Sequence, residues 1–293
     1  MVNDIEWWKK AVVYQIYVKS FFDSNGDGIG DLQGVISKIP YLRELGVDVL
    51  WLNPIYLSPL DDNGYDISDY YNVHPDYGIL EDLKELILLV HKNGMRLIMD
   101  LVINHTSDEH KWFVESKKSK DNPYRDYYIW KRGTLDSSGK EITPNNWGSF
   151  FEGSAWELSE NTKEYYLHLF SRKQPDLNWS NNNVKEEIFC MIKWWLDQGI
   201  DGFRMDVINI LKKPEDFKNS ILNISKNDDT ILDIDLYANN TGMEELLREL
   251  RGEVFDKYNT FTVGEMLGID PSEAINYVNT KNGSLNMLIH FDL

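Results

Sequence analysis

Three short stretches place charged side chains where apolar runs end. Asp100-Leu101-Val102-Ile103-Asn104-His105 closes one run, Phe203-Arg204-Met205-Asp206 a second, and Val263-Gly264-Glu265 a third. If those runs are neighbouring parallel strands, their ends open onto one face, and Asp206 and Glu265 share one site. Two carboxylates there, one ionised and one kept protonated, are what hydrolysis of a glycosidic bond requires. Arg204 precedes Asp206 by two residues and so points to the same side of its strand. Its guanidinium is expected to hold Asp206 ionised and lower its pKa. A single Asp at a strand end is more often the partner of a structural Arg. The chemical reading rests on Arg204, Asp206, Glu265 and His105 together.

The elements that must present these residues are legible as a rhythm. Apolar runs recur at Val12–Val18, Val47–Asn53, Arg96–Val102, Gly202–Val207, Phe261–Met266 and Leu285–Phe291. They do not alternate polar with apolar, which suits strands buried on both faces. Between them Leu32–Leu45, Ile79–Asn93, Val184–Gln198, Met243–Tyr258 and Pro271–Asn279 carry apolar residues at helical spacing, with stop signals at Asn93-Gly94 and Gly199. Strand alternating with helix predicts an α/β fold on a parallel sheet of six strands. The interval from Asn104 to Asp176 breaks the rhythm, being dense in aromatics, Asn, Gly and Lys, and reads as a small irregular domain inserted after the third strand. Lys212–Asn240 is polar and reads as a long loop.

The motifs "DLVINH", "GFRMDVI", "VGEM" and "QPDLNW", in that order, resemble the α-amylase family of glycoside hydrolases, and within it the oligo-1,6-glucosidase, dextran glucosidase and maltase branch. The resemblance runs from Trp7-Trp8 and "VVYQIY" through Glu265. It implies a (β/α)8 TIM-type barrel, here incomplete at six of eight strands. Residues 1–103 and 177–293 are expected to form the partial barrel, and 104–176 the inserted domain. It implies Asp206 as nucleophile and Glu265 as general acid and base of a retaining α-glucosidase. Arg204, His105, Asp62 and Tyr65 (the last two in "DDNGYD") would line the seat of the terminal glucose, bordered by Phe170 and Gln174. Asp62 also has a plainer reading, as a turn residue. Val207, next to the nucleophile, and "QPDLN" imply a preference for α-1,6 over α-1,4 bonds. Trehalose-6-phosphate hydrolase, a close relative, is the alternative; its substrate needs basic groups for the phosphate, for which Lys173, before Gln174, is a slight signal. A non-catalytic sugar-binding relative is a further alternative.

The stretch Asp23-Ser24-Asn25-Gly26-Asp27-Gly28-Ile29-Gly30-Asp31 sets oxygen-bearing side chains at alternate positions, which suits a hard cation. Gly34 stands where an EF-hand would carry its bidentate Glu, so an EF-hand is not expected. The resemblance implies a structural Ca²⁺ or Mg²⁺ held by Asp23, Asn25, Asp27, the Ile29 carbonyl and Asp31; the plainer reading is a turn-rich loop without metal. The family's third acid, in an "NHD" motif after strand seven, has no counterpart, since no Asn-His-Asp occurs. The chain is therefore expected to be a barrel cut short at Leu293, with little glucosidase activity alone. The remaining half could be supplied as a separate chain.

Composition bounds the rest. The 293 residues carry 30 basic and 48 acidic side chains, a net charge of −18, so neither nucleic acid nor an anionic membrane surface is an expected partner. Aromatics reach 13%, which suits sugar rings as well as a large core. Cys190 is the one cysteine, no run approaches a membrane span, and the chain reads as cytoplasmic, with a short oligosaccharide as its partner. His91, His110, His168 and His290 show no metal-ligand spacing and read as core or surface histidines. Trp194-Trp195 reads as barrel packing, and Lys117-Lys118 and Lys212-Lys213 as solvated faces.

Overall fold

The computed structural model describes residues 6–222, 230–279 and 281–291. Six parallel strands follow one another in both sequence and space: β1 (Val13–Ile16), β2 (Val49–Leu52), β3 (Arg96–Leu101), β4 (Gly202–Met205), β5 (Phe261–Met266) and β6 (Met287–His290). Each pairs with the next, and the two outermost strands, β1 and β6, are not paired with each other. The non-alternating runs behave as expected: all four residues of β4 and five of six in β3 are buried. A parallel strand between helices and a filled interior has no solvated face to mark with polar residues.

Helices α1 (Leu32–Ser37), α2 (Ile39–Glu44), α3 (Leu80–Lys92), α4 (Asn182–Asp197), α5 (Met243–Leu250) and α6 (Pro271–Val278) cross between the strands. The single helix expected over Leu32–Leu45 is two, because Pro40 lacks the N–H that a continuous helix would need there. Helix α3 buries Leu83, Leu86, Ile87 and Val90, the spacing of one helical face. It stops at Gly94, whose φ of +71° lets the Met95 N–H reach back to the Val90 carbonyl. Trp195 on α4 is fully buried and donates to the Tyr70 carbonyl, so Trp194-Trp195 serves packing, as read from the sequence. The helix read over Met243–Tyr258 holds a π-turn at Arg251–Phe255. The main core lies between this helical layer and the sheet. Inside the curl of the sheet, Val49, Ile98 and Phe261 meet Trp7, Trp8, Trp51 and Val263.

Two excursions depart from the βα rhythm. A short hairpin, Tyr56–Leu57 with Asp69–Val73, follows β2 and was not legible in the sequence. Between β3 and α4 the chain forms the helix Lys111–Ser116 and a three-stranded antiparallel sheet of Trp130–Lys131, Glu164–Leu167 and Trp156–Ser159. This segment leaves and returns at one place, where His105 bridges Asp176 and the Leu177 N–H donates to the Asn104 carbonyl. Its aromatics, among them Trp147, Trp156 and Phe170, build a second core that also takes in Val207, Ile210 and Tyr237 from the loop after β4. Part of the loop read over Lys212–Asn240, residues 223–229, lies outside the described residues, as do residues 1–5. Among the described residues no helix is long and apolar enough to cross a membrane.

Candidate active site

Strand register brings the site together. Arg204 on β4 stands directly opposite Asp100 on β3, and Met205 opposite Gly264 on β5. Opposed residues in parallel strands share a face, so Arg204 and Asp100 meet inside the curl, and Asp206 and Glu265 follow one step further up their strands. Arg204 Nη1 donates to Asp100 Oδ1 and Asp206 Oδ1, both at 2.7 Å, while Nη2 lies 2.6 Å from Glu265 Oε2. One guanidinium thus holds three carboxylates. Asp100 is fully buried and its other oxygen accepts from Trp51 Nε1 at 3.0 Å and the Tyr65 hydroxyl at 3.2 Å. Sequence reasoning gave Asp100 no role. The available signal was its position, an acid within an otherwise apolar buried run.

The electrostatics differ from expectation in one respect. Burial pulls the Arg204 guanidinium down, but Asp100, Asp206 and Glu265 outweigh it and raise its pKa. Burial pushes Asp100 up to about 6 although Arg204 opposes. Asp206 was expected to be held low by Arg204; instead burial first, then the charges of Glu265 and Asp100, carry it well above the usual carboxylate range. A single cation divided among three buried acids cannot keep all of them ionised. Asp206 and Glu265 are held by the two amino groups of the same guanidinium, and the charge of Glu265 raises Asp206.

Val207, directly after Asp206, has φ 38° and ψ 44°, a left-handed conformation rare for a β-branched residue. Strain of this kind costs on the order of 1–3 kcal/mol and needs surrounding structure to hold it. Here the turn sends the Val207 side chain into the second core and aims its N–H at Glu265 Oε2, 3.1 Å away.

A second wall faces these acids. His105 is buried; its Nε2 lies 3.1 Å from the Tyr65 carbonyl oxygen and 3.2 Å from Gln174 Nε2. Burial lowers its pKa to about 4, so the ring is neutral at pH 7. Gln174 Nε2 donates to Asp62 Oδ2 at 2.9 Å, and burial raises the Asp62 pKa against that bond. Phe170 packs on the His105 ring at 5.1 Å and stacks on Phe150 at 4.9 Å. Asp62, Tyr65, His105, Phe170, Gln174 and Arg204 are therefore linked by contacts. Asp62 is not merely a turn residue: Asp66, buried, braces the turn by accepting from the backbone N–H groups of Asp61 and Asp62 and from Ser58.

Lys213 corrects the sequence reading. The Lys212-Lys213 run reads as a solvated face in the sequence, but the Lys213 ammonium is buried, 2.8 Å from Asp176 Oδ2, and donates to Asn104 Oδ1 at 2.7 Å. Burial lowers its pKa, with Asp176 opposing. Asp176 also accepts from the Leu169 N–H and from Asn104 Nδ2. One buried cation thereby ties the loop after β4 to both ends of the inserted segment, beside His105. The other histidines do structural work: His91 pairs with Asp201, His110 caps its helix, His168 is buried against the Phe170 carbonyl, and His290 Nε2 lies against the Ile269 carbonyl oxygen.

The loop Asp23–Asp31 is a chain of side chain-to-backbone turns. Asp23 accepts from the N–H groups of Asn25, Gly26 and Gly28, Asn25 from that of Asp27, and Asp27 from that of Ile29. These bonds hold the Asp23 carboxyl below its usual pKa. The donor set is all oxygen and fits a hard cation at Asp23, Asn25 and Asp27. Asp31 fits less well: Oδ1 caps α1 through the Gly34 N–H, and Oδ2 accepts twice from Ser24. Among the described residues no group of three or more His, Cys, Asp or Glu side chains is gathered as metal ligands. A cavity of about 280 Å³ lies among Trp7, Trp8, Arg251, Phe255, Phe261 and Asn286, at the start of β5, the end of the strand opposite Glu265.

Residues 15–293 match the model of the α-amylase catalytic domain. The chain belongs to the α-amylase family. It is 55% identical to an oligo-1,6-glucosidase of Parageobacillus thermoglucosidasius over 98% of its own length, and 53% identical to one of Bacillus cereus. A trehalose-6-phosphate hydrolase of Bacillus subtilis is 48% identical. Among solved structures, a trehalulose synthase in complex with Tris superposes with a TM-score of 0.92 at 45% identity, over 99% of this chain and 50% of that one. A trehalose-6-phosphate hydrolase of Bacillus licheniformis superposes with a TM-score of 0.89 at 47% identity, over 96% of this chain and 49% of that one. The chain spans about half the length of the curated relatives it matches. Its six strands are a curled, incomplete version of the family's TIM barrel.

Proposed function

We propose that this chain carries the nucleophile and the general acid of a retaining α-glucosidase that removes terminal glucose from short α-1,6-linked oligosaccharides. The observation that carries the reading is Arg204 bound at once to Asp100, Asp206 and Glu265. Two acids drawn onto one guanidinium suit a retaining pair, whose carboxyls stand roughly 5–5.5 Å apart, better than the wider gap of an inverting pair. In the first step Asp206 attacks C1 and forms a glycosyl ester while Glu265 gives its proton to the departing oxygen. In the second, Glu265 takes a proton from water, whose oxygen attacks C1, and Asp206 leaves as a carboxylate. The scheme requires Asp206 ionised and the proton on Glu265 at the moment of attack.

Asp62, His105, Gln174 and Arg204 are suited to the hydroxyls of the terminal ring, with Tyr65 and Phe170 as its aromatic walls. Lys173 bears on the alternative of a 6-phosphorylated substrate. Its ammonium lies 3.6 Å from Asp61 Oδ1, which favours the neutral sugar. The first loop would hold a structural Ca²⁺ or Mg²⁺ through Asp23, Asn25, Asp27 and the Ile29 carbonyl, fixing the loop without joining the chemistry. The single cysteine suits a reducing, cytoplasmic setting. Isothermal titration tests the reading. Isomaltose binding is expected, weakened at least tenfold by Asp206→Asn; equal binding by wild type and variant would overturn it.

A further inference from the structure

The rim outside Asp62 carries a charge pair that the glucose seat does not need. Asp61 Oδ2 accepts from the Ser171 hydroxyl at 2.6 Å, and Asp61 Oδ1 lies 3.6 Å from Lys173 Nζ. Ser171 in turn gives its N–H to Gln174 Oε1, so this pair sits directly beyond the Gln174–Asp62 contact. A second acid faces the same lysine. The Asp108 N–H donates to the Lys173 carbonyl, its buried Oδ1 has no hydrogen-bond partner, and its carboxyl feels the charges of Lys117, Lys173, Glu109 and Asp61. Lys173, its side chain 41% exposed, thus stands among carboxylates on a rim that also holds Asp62.

The orientation of a bound sugar gives this arrangement a consequence. With C1 at Asp206 and Glu265, the ring atom opposite is C4, and the hydroxymethyl on neighbouring C5 lies at the same far edge. In the proposed glucose seat that edge would lie against Asp62 and Gln174, and a group attached to O6 would project toward Asp61 and Lys173, the pair directly beyond them. We propose that Asp61 is a specificity-determining residue that excludes glucosides phosphorylated on O6 of the non-reducing ring. It does so by keeping Lys173 in an ion pair and by presenting its own charge where the phosphate would sit. The inference rests on the proposed seat for terminal glucose. It adds a repulsive element to that seat, which is how a pocket separates two ligands that share a ring. A dianionic phosphate at this rim would meet carboxylates and an ammonium already engaged by one of them.

The test is titration calorimetry of the whole chain with isomaltose and with isomaltose 6′-phosphate, read as the ratio of the two dissociation constants. Wild type is expected to bind isomaltose and to discriminate strongly against the phosphate. Asp61→Asn is expected to shrink the ratio by about tenfold at low salt, and less at high salt where charges are screened. Ser171→Ala removes the hydroxyl partner but leaves the charge, so its ratio is expected to stay within about twofold of wild type. An unchanged ratio in Asp61→Asn overturns the inference. So does an equal collapse in Ser171→Ala, which would assign the effect to the shape of the latch. Wild type that binds neither sugar would instead overturn the underlying glucose seat.

Discussion

At the scale of single residues, Arg204 sets the terms, because its two amino groups serve three acids. Asp206, Glu265 and Arg204 could be read from the sequence, since each stands where an apolar run ends and strand ends are where such folds place chemistry. The sign of the Asp206 shift could not. It depends on burial and on Asp100, which reaches Arg204 only through the β3–β4 register. Lys213 was misread for a similar reason: its partner Asp176 lies in the inserted segment, and nothing in "LKKP" announces that contact. Breaking this buried pair leaves Asp176 uncompensated, so Lys213→Met should cost about 3–5 kcal/mol of stability in urea unfolding. Adding Asp176→Asn should recover part of it. A Lys213→Met cost below about 1 kcal/mol would mean that the pair is effectively solvated.

At the scale of elements, the six strands and most helices followed from periodicity and stop signals, because a strand buried on both faces and an amphipathic helix leave different patterns. The hairpin after β2 and the sheet of the inserted segment did not, since their strands carry Tyr, Trp, Asp, Glu and Lys in place of the unbroken apolar runs that mark the parallel strands. Helix Lys111–Ser116 yields a pH test. His110 caps it, accepting the Trp112 N–H at its own Nδ1, and lies between Tyr70 and Trp112. Burial lowers its pKa from 6.5 to about 3. The unfolded chain therefore takes up this proton first as pH falls, and the stability His110 contributes is present above pH 6.5 and lost as pH falls toward 3. Between pH 6.5 and 5, wild type should lose roughly 1.5 kcal/mol more than His110→Asn, which keeps a cap acceptor without the titration. Equal losses would show that the ring is already protonated, or solvated, in the folded chain.

At the scale of the whole molecule, the sheet curls but does not close. The outer edges of β1 and β6 pair with no other strand among the described residues. Val13 and Met287, on those edges, are 37% and 39% exposed. Open edges of this kind invite pairing between molecules. Sedimentation velocity of the 293-residue chain should show association that grows with concentration, and Met287→Lys should reduce it. A monomer at every concentration would mean that the edges are protected.

The carboxylates themselves are intact on this open frame, presented by the ends of adjacent strands. Mass spectrometry after incubation with 5-fluoro-α-D-glucosyl fluoride, whose fluoride departs without acid assistance, tests the assignment of the nucleophile most directly. The predicted result is a single glycosyl adduct on the peptide containing Asp206, absent in Asp206→Asn. An adduct on Asp100 or Glu265, or one that persists in Asp206→Asn, would contradict it.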